Sequence, residues 1–271
     1  MLDQIDIQDI VKIAKDAGKA IMDIYNQDFG VEFKIDNTPL TIADQKANEI
    51  ILTALNQLPV NSFLQQNIPI LSEEGRNVPY DERKNWDYFW LIDPLDGTKE
   101  FVKRNGEFTV NIALIHNGTP IMGVIYVPVK EELYFALEGI GAYKIGRKTV
   151  IDNLDNLIAK SDKLPINYNR DNYVIVGSRS HMSVETKQFF EEKKNEHGEV
   201  EVMAVGSSLK LCLVAEGKAD AYPRYAPTME WDTGAGHAIA KMAGFSVTQY
   251  NTEKEVVYNK EDLLNPWFLV K

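Results

Sequence analysis

The sequence predicts a layered protein of mixed helix and strand, in the α+β or α/β class. Two helical segments open the chain, and a run of consecutive strands with a hairpin turn follows them. Beyond residue 150, strands and helices alternate, as they do where helices pack on the faces of a sheet. We therefore expect an N-terminal α+β half over residues 1–150 and a C-terminal α/β half over residues 151–271.

The elements of the first half follow from the spacing of its apolar residues. A period of about 3.6 residues predicts helices over residues 10–24 and 43–58. Runs rich in β-branched and aromatic residues predict strands over residues 86–92, 109–115, 121–127, 133–136 and 142–145. Asn117 and Gly118 lie between the second and third of these strands, and this dipeptide favours a two-residue hairpin turn.

The second half shows an alternating pattern. Strands are predicted over residues 173–176, 200–205, 219–222 and 245–248, and helices over residues 184–194, 209–216 and 233–242. Such alternation is typical of a sheet with helices on its faces.

The composition indicates a folded globular protein with a strongly acidic surface. Of its 271 residues, 44% are hydrophobic and 25% are charged, and 40 acidic residues against 29 basic ones give a formal charge of -11. Polymeric nucleic acid and anionic membranes are poor partners, because both require clustered Lys and Arg. No apolar run reaches the about 20 residues of a membrane span, and the acidic start does not resemble a secretion signal. We expect a cytoplasmic protein, with peripheral membrane attachment and oligomeric state left open.

Two carboxylates directly follow a predicted buried strand. Asp93 closes the apolar run of residues 88–92, and Asp96 and Gly97 come three and four residues later. An acidic pair at such a position is costly without a counter-ion. Hard cations such as Mg²⁺ prefer carboxylate and backbone carbonyl oxygens, so a divalent metal site is predicted. An ordinary Asp-Gly turn is the alternative.

Three further acidic sites each have a simpler alternative role. Asp232 precedes a predicted helix and could cap it, although the small residues after it favour a ligand role. Asp44 lies three residues after Thr41, as in a capping box. Glu73 and its neighbour Glu74 would usually be solvated charges in a polar loop.

Four motifs together resemble a known family. Residues 90–98 (WLIDPLDGT) and 231–236 (WDTGAG) resemble the two signatures of the inositol monophosphatase superfamily. Residues 72–74 (SEE) resemble its glutamate motif, and residues 34–44 match its upstream segment. Residues 97–101 (GTKEF), 177–181, 207–210 and 221–224 are similar to its 3'(2'),5'-bisphosphate nucleotidase branch.

The resemblance implies a five-layer αβαβα sandwich and a phosphomonoesterase that needs two or three Mg²⁺ ions. Glu73, Asp93 and the Leu95 carbonyl would hold one ion. Asp93, Asp96 and Asp232 would hold a second, so that Asp93 bridges the two.

The resemblance also implies catalytic roles. Thr98, hydrogen-bonded to Asp44, would orient the attacking water and pass on its proton, with Glu73 close by. The backbone amides of Gly97 and Thr98 would hold phosphate oxygens. No phosphoenzyme is needed, and Cys212 is interpreted as a small core residue.

The implied substrate is a nucleotide with two phosphates. Lys210 and Arg224 are candidate donors to the phosphate that is not cleaved, with Ser207 and His181 assisting, and Asp232 lies near the leaving ribose oxygen. The four candidate donors could instead be ordinary surface or helix-face residues. The expected reaction is Mg²⁺-dependent and Li⁺-sensitive removal of the 3'-phosphate from adenosine 3',5'-bisphosphate, and perhaps from its sulfated relative, in a side path of sulfur metabolism. An inositol or sugar phosphatase is the nearest alternative, and an inactive metal- and phosphate-binding regulator is an alternative of another class.

Overall fold

The structure, a computed structural model, describes residues 5–27, 31–33, 39–146, 153–177 and 183–271. Its helices are α1 (Ile7–Tyr25), α2 (Ile42–Asn56), α3 (Pro59–Leu64), α4 (Tyr80–Arg83), α5 (Thr98–Val102), α6 (Leu154–Ala159), α7 (Val184–His197), α8 (Leu209–Glu216) and α9 (Glu230–Met242). Its strands are β1 (Val31–Phe33), β2 (Pro39–Thr41), β3 (Ile70–Ser72), β4 (Tyr88–Asp96), β5 (Thr109–His116), β6 (Thr119–Val127), β7 (Glu132–Leu137), β8 (Gly141–Ile145), β9 (Asp162–Lys163), β10 (Tyr173–Gly177), β11 (Val200–Ala204), β12 (Tyr222–Arg224), β13 (Val247–Gln249) and β14 (Phe268–Val270).

Helices α1 and α2 form the first layer. Asp6 caps α1 by accepting a hydrogen bond from the Gln8 amide over 2.9 Å. The apolar faces of both helices pack on one side of the central sheet, in a core that includes Ile21 and Ile51. A Cβ on Gly18 would clash with the Tyr126 ring, so glycine lets α1 approach the sheet closely.

A seven-stranded sheet forms the second layer, in the order β3-β4-β5-β6-β7-β8-β9. Strands β3 and β4 are parallel, and the other neighbouring pairs are antiparallel. The predicted turn between β5 and β6 is confirmed, with φ values of 48° at Asn117 and 74° at Gly118. Strand β4 does not end at Ile92 as predicted, because its pairing with β5 continues through a register shift between Asp93 and Asp96.

Three further layers complete the fold. Helices α8 and α9 pack on the other face of the central sheet, where their core residues include Leu211 and Ile239. A second group of strands, β10 to β14, lies beyond these helices. Helix α7 covers that group through Phe189, which packs with Ile175 and Tyr225. The predicted five-layer αβαβα sandwich is therefore confirmed.

Several element boundaries differ from the prediction. Strand β12 begins at Tyr222, three residues after the predicted start, and α9 begins at Glu230, three residues before it. Asp232 consequently lies inside the first turn of α9 rather than before the helix. The division at residue 150 stays a prediction, and strand β9 of the second half pairs with β8 of the first.

Among the helices in the described ranges, none combines the length and the hydropathy needed to cross a bilayer.

Candidate active site

Parallel strand pairing brings Glu73 next to Asp93. Strand β3 runs beside β4 with Ser72 opposite Ile92, and the Glu73 amide continues this pairing by donating to the Ile92 carbonyl over 3.1 Å. The next residue of β4 is Asp93, which is only 1% exposed. Two carboxylates separated in sequence thus meet at one end of the central sheet.

The register shift in β4 arranges the following residues. The Leu95 amide donates to Asp93 Oδ1 over 3.1 Å, which folds the chain back towards the aspartate. The Leu95 carbonyl accepts a 3.4 Å hydrogen bond from the Thr98 hydroxyl. Asp96 pairs again with Thr109 of β5, so it lies on a segment with a defined register.

Helix α9 presents Asp232 from its first turn. Asp232 Oδ2 accepts hydrogen bonds from the Met229 amide at 2.9 Å and the Thr228 hydroxyl at 2.6 Å. The contact with Met229 caps the helix, so the alternative of a capping role is correct in part. The same side chain nevertheless faces the other carboxylates.

Glu73, Asp93 and Asp232 form one compact acidic group. Each offers a carboxylate oxygen that lies within 4.8 Å of the oxygens of the other two. Asp96 lies outside this compact group, but its charge acts on both Asp93 and Asp232.

Electrostatics show that this group is unfavourable by itself. Burial raises the pKa of Asp93 well above its usual value, and the charges of Glu73, Asp96, Asp232 and Asp44 raise it further. Burial and the Asp96 charge raise the pKa of Asp232 to about 6, against the lowering effect of its hydrogen bonds. Repelling carboxylates in a desolvated place require positive charge or protons.

The hydrogen bonds of the aspartates leave room for a metal. Among the described residues, the donors to Asp93 use only Oδ1, and those to Asp96 and Asp232 use only Oδ2. Each aspartate therefore keeps one oxygen available to an ion. Carboxylate oxygens are the donors that Mg²⁺ prefers, so these residues fit a divalent ion.

The predicted catalytic residues lie around this group. Asp44 is buried in the first turn of α2, and its charge reaches Asp93. Gly97 begins α5 with a φ of 92°, and a Cβ there would press on the Glu107 carbonyl and the Ser207 side chain. The hydrogen bond between Thr98 and Asp44 stays a prediction.

Two of the predicted donors to the substrate phosphate, Lys210 and Arg224, lie on α8 and β12. Lys210 is buried, and its ammonium donates to the Ser207 carbonyl at 2.5 Å and the Val205 carbonyl at 3.5 Å. Arg224 donates to the Pro227 carbonyl over 2.6 Å, while its buried Nε has no hydrogen-bond partner among the described residues. His181 and residues 34–38 lie outside the described residues.

The sequence prediction missed three polar residues that hold these aspartates. Ser208 contacts Asp96, Asn111 contacts Ser208, and Thr228 contacts Asp232. The sequence could have identified Asn111, because it is a polar residue among the apolar residues of a predicted strand. Ser208 lies in the segment 207–210 that resembles the nucleotidase branch, but its contact with Asp96 was not predicted, and no local pattern marks Thr228.

The fold and the site together define a class: a layered αβαβα protein with a candidate acidic metal centre at the end of a central strand. A family model described as the inositol monophosphatase family matches residues 2–267. The chain belongs to this family, whose members are metal-dependent phosphatases.

Full-length relatives narrow this class. The 3'(2'),5'-bisphosphate nucleotidase CysQ of Shigella flexneri is 42% identical over 272 residues, which cover 100% of this chain and 99% of that protein. The Escherichia coli (strain K12) protein of the same name is also 42% identical over 272 residues, with the same coverage. These names confirm the predicted superfamily, its nucleotidase branch and the prediction of an enzyme of this class.

Solved structures agree with this placement. The crystal structure of CysQ from Bacteroides thetaiotaomicron has a TM-score of 0.86 and 53% identity, and the match covers 97% of this chain and 96% of that one. The Thermotoga maritima IMPase shares the fold at 23% identity, with a TM-score of 0.72 and coverage of 98% and 91%.

Proposed function

We propose that this chain removes the 3'-phosphate from adenosine 3',5'-bisphosphate, giving AMP and phosphate, with Mg²⁺ as its cofactor. The sulfated relative of this nucleotide belongs to the proposed substrate range, and the proposal includes Li⁺ sensitivity and a cytoplasmic setting. The single observation that carries it is the meeting of Glu73, Asp93 and Asp232 within 4.8 Å. Full-length relatives named as bisphosphate nucleotidases support the choice of substrate.

Mg²⁺ is proposed to be held by Glu73, Asp93, Asp96, Asp232 and the Leu95 carbonyl. Bound there, it would supply positive charge that offsets the charge of the phosphate and polarises the attacking water. The acidic protein could then accept an anionic ester, which its own field would otherwise repel.

The chain's own residues would position and deprotonate the reactants. Asp44 and Thr98 would orient the attacking water and accept its proton, with Glu73 close by. The amides of Gly97 and Thr98 would donate to phosphate oxygens, and the left-handed backbone at Gly97 supports this close approach.

Lys210 and Arg224 would bind the 5'-phosphate, with Ser207 and His181 assisting. The buried Nε of Arg224 has no hydrogen-bond partner in the described part of the chain, which supports this role, because an anion would satisfy it. The Lys210 ammonium makes two carbonyl contacts and has three N–H groups, so one remains available for a phosphate oxygen. Asp232 would lie near the departing ribose oxygen.

A parallel assay tests the proposal. Purified protein would be supplied with Mg²⁺ and with adenosine 3',5'-bisphosphate or inositol 1-phosphate, and released phosphate would be measured, with EDTA as the metal-free control. We expect the higher kcat/KM with the nucleotide and loss of turnover in EDTA. A higher kcat/KM with inositol 1-phosphate would assign the chain to inositol ester hydrolysis instead.

A further inference from the structure

We propose that Ser208 is a positioning residue that holds the carboxylate of Asp96 and the start of α9 at a fixed separation before any ion binds. This inference rests on the proposed function, since it assigns the two aspartates to one metal centre. Ser208 lies outside both signature motifs, residues 90–98 and 231–236, so the inference adds a new residue to the proposed metal centre.

Ser208 connects three elements of the fold. It lies directly before α8 and is only 2% exposed. Its amide and its hydroxyl both contact Asp96 Oδ2, at 2.5 Å and 2.6 Å. Its hydroxyl also lies 2.6 Å from the backbone carbonyl of Asp232. One small side chain therefore joins the end of β4 to the first turn of α9.

The proton arrangement of this contact is determined by Asn111. The Asn111 side-chain amide donates to the Ser208 hydroxyl over 2.9 Å and approaches Asp96 Oδ2 at 3.5 Å. The opposite amide orientation would place a carbonyl oxygen against the Asp96 carboxylate, which is repulsive. The Ser208 oxygen accepts from Asn111, so its single hydrogen is free to be donated to Asp96 Oδ2 or the Asp232 carbonyl. The two acceptors share this hydrogen, and the Ser208 amide donates a separate hydrogen bond to Asp96 Oδ2.

The Asp96 carboxylate needs the contact with Ser208, because other carboxylates surround it. Its charge repels those of Asp93 and Asp232, and a flexible side chain would turn away from them in the absence of an ion. The Ser208 amide and hydroxyl fix Oδ2, so Oδ1 stays available for the metal. Groups behind a metal ligand commonly change metal affinity by about 10- to 100-fold.

The test is calorimetric titration of Mg²⁺ into the metal-free protein, without substrate. In Ser208→Ala we expect the Mg²⁺ dissociation constant to rise by about 10- to 100-fold. At saturating Mg²⁺, kcat should recover towards the wild-type value, because the ligands themselves remain. The matched control is Ser161→Ala, which removes a hydroxyl that donates to the Leu157 carbonyl far from the metal centre. Its dissociation constant should not change.

A second variant separates positioning from a general effect on packing. Asn111→Ala should also weaken Mg²⁺ binding, and the double variant Ser208→Ala, Asn111→Ala should lose less than the sum of the two single losses, because both act through one hydrogen-bond network. Should Ser208→Ala fail to fold by circular dichroism, the titration of Asn111→Ala decides alone. An unchanged dissociation constant in a folded variant, with wild-type protein that binds Mg²⁺ and turns over, overturns the inference and leaves the proposed function intact. Wild-type protein that binds no Mg²⁺ overturns both.

Discussion

The Lys260 ammonium lies 2.5 Å from the carboxylate of Glu230, which is completely buried in the first turn of α9. The backbone amides of Asn259 and Lys260 also donate to this carboxylate, at 2.7 Å and 3.0 Å. Burial raises the pKa of Glu230, although Lys260 and these amides act in the opposite direction. Asp232 is two residues further along the same turn, so the pair also fixes the helix start that carries a predicted metal ligand.

Lys260→Met should destabilise the protein by about 3 kcal/mol, because it leaves a buried carboxylate without its ammonium partner. Urea unfolding of the metal-free protein at neutral pH measures this loss. The matched control is Lys241→Met, which breaks the Lys241–Glu255 pair, whose side chains are 37% and 41% exposed. Because exposed pairs contribute little, the control should lose less than about 1 kcal/mol. Equal losses of unfolding free energy in the two variants would show that leaving the buried Glu230 unpaired costs no more than leaving an exposed carboxylate unpaired.

Asp93→Asn should abolish turnover while the fold survives. The loss should exceed the about 10- to 100-fold typical of groups behind a metal ligand, because Asp93 is proposed to contact the ions directly. The metal-free variant should also melt at a higher temperature than wild type, since it lacks a buried charge that four other carboxylates repel. Steady-state kinetics and thermal melts in EDTA measure the two effects. Unchanged turnover would refute the mechanism.

The local parts of the site were predictable from sequence, and its long-range contacts were not. The apolar run of residues 88–92 marked a buried strand, and a charge at its end predicted Asp93 as a metal ligand. The start of α9 was placed too late, at residue 233 instead of 230, and the contact that buries Glu230 comes from Lys260, which is 30 residues away in sequence. The contact between Asp96 and Ser208 joins residues 112 positions apart, and no periodic pattern encodes such a contact. Sequence therefore identifies the carboxylates that meet at the candidate site better than the residues that hold them.

Mg²⁺ should stabilise the folded protein more at neutral pH than in acid. The pKa of Asp232 is about 6 in the folded chain, against 3.8 ordinarily. At pH values between these two pKa values, Asp232 is protonated in the folded metal-free protein but ionised in the unfolded chain. The free energy of unfolding therefore falls as pH rises, and the destabilisation by the ionised Asp232 is complete above about pH 6. Mg²⁺ requires the deprotonated carboxylates and offsets their repulsion.

Thermal melts at about pH 5 and about pH 7.5, with and without Mg²⁺, measure this difference. We expect the larger increase in melting temperature at the higher pH. Asp93→Asn is the control, because its increase should be small at both values. Equal increases in the wild-type protein at the two pH values would contradict the assignment of these carboxylates to the ion.

Arg224→Ala should weaken binding of the bisphosphorylated nucleotide selectively. A charge-assisted hydrogen bond to the 5'-phosphate corresponds to about a 10- to 100-fold rise in KM when it is lost, with kcat nearly unchanged because this phosphate does not react. Adenosine 3'-monophosphate carries the scissile phosphate alone, so its KM should change little. Arg76→Ala is the matched control, since Arg76 pairs with Glu82 on the surface and both side chains are solvent-exposed. If Arg224→Ala raised the KM of both nucleotides equally, Arg224 would act on the scissile phosphate or on the fold. The donor to the second phosphate would then be one of the other candidates, Lys210, Ser207 or His181.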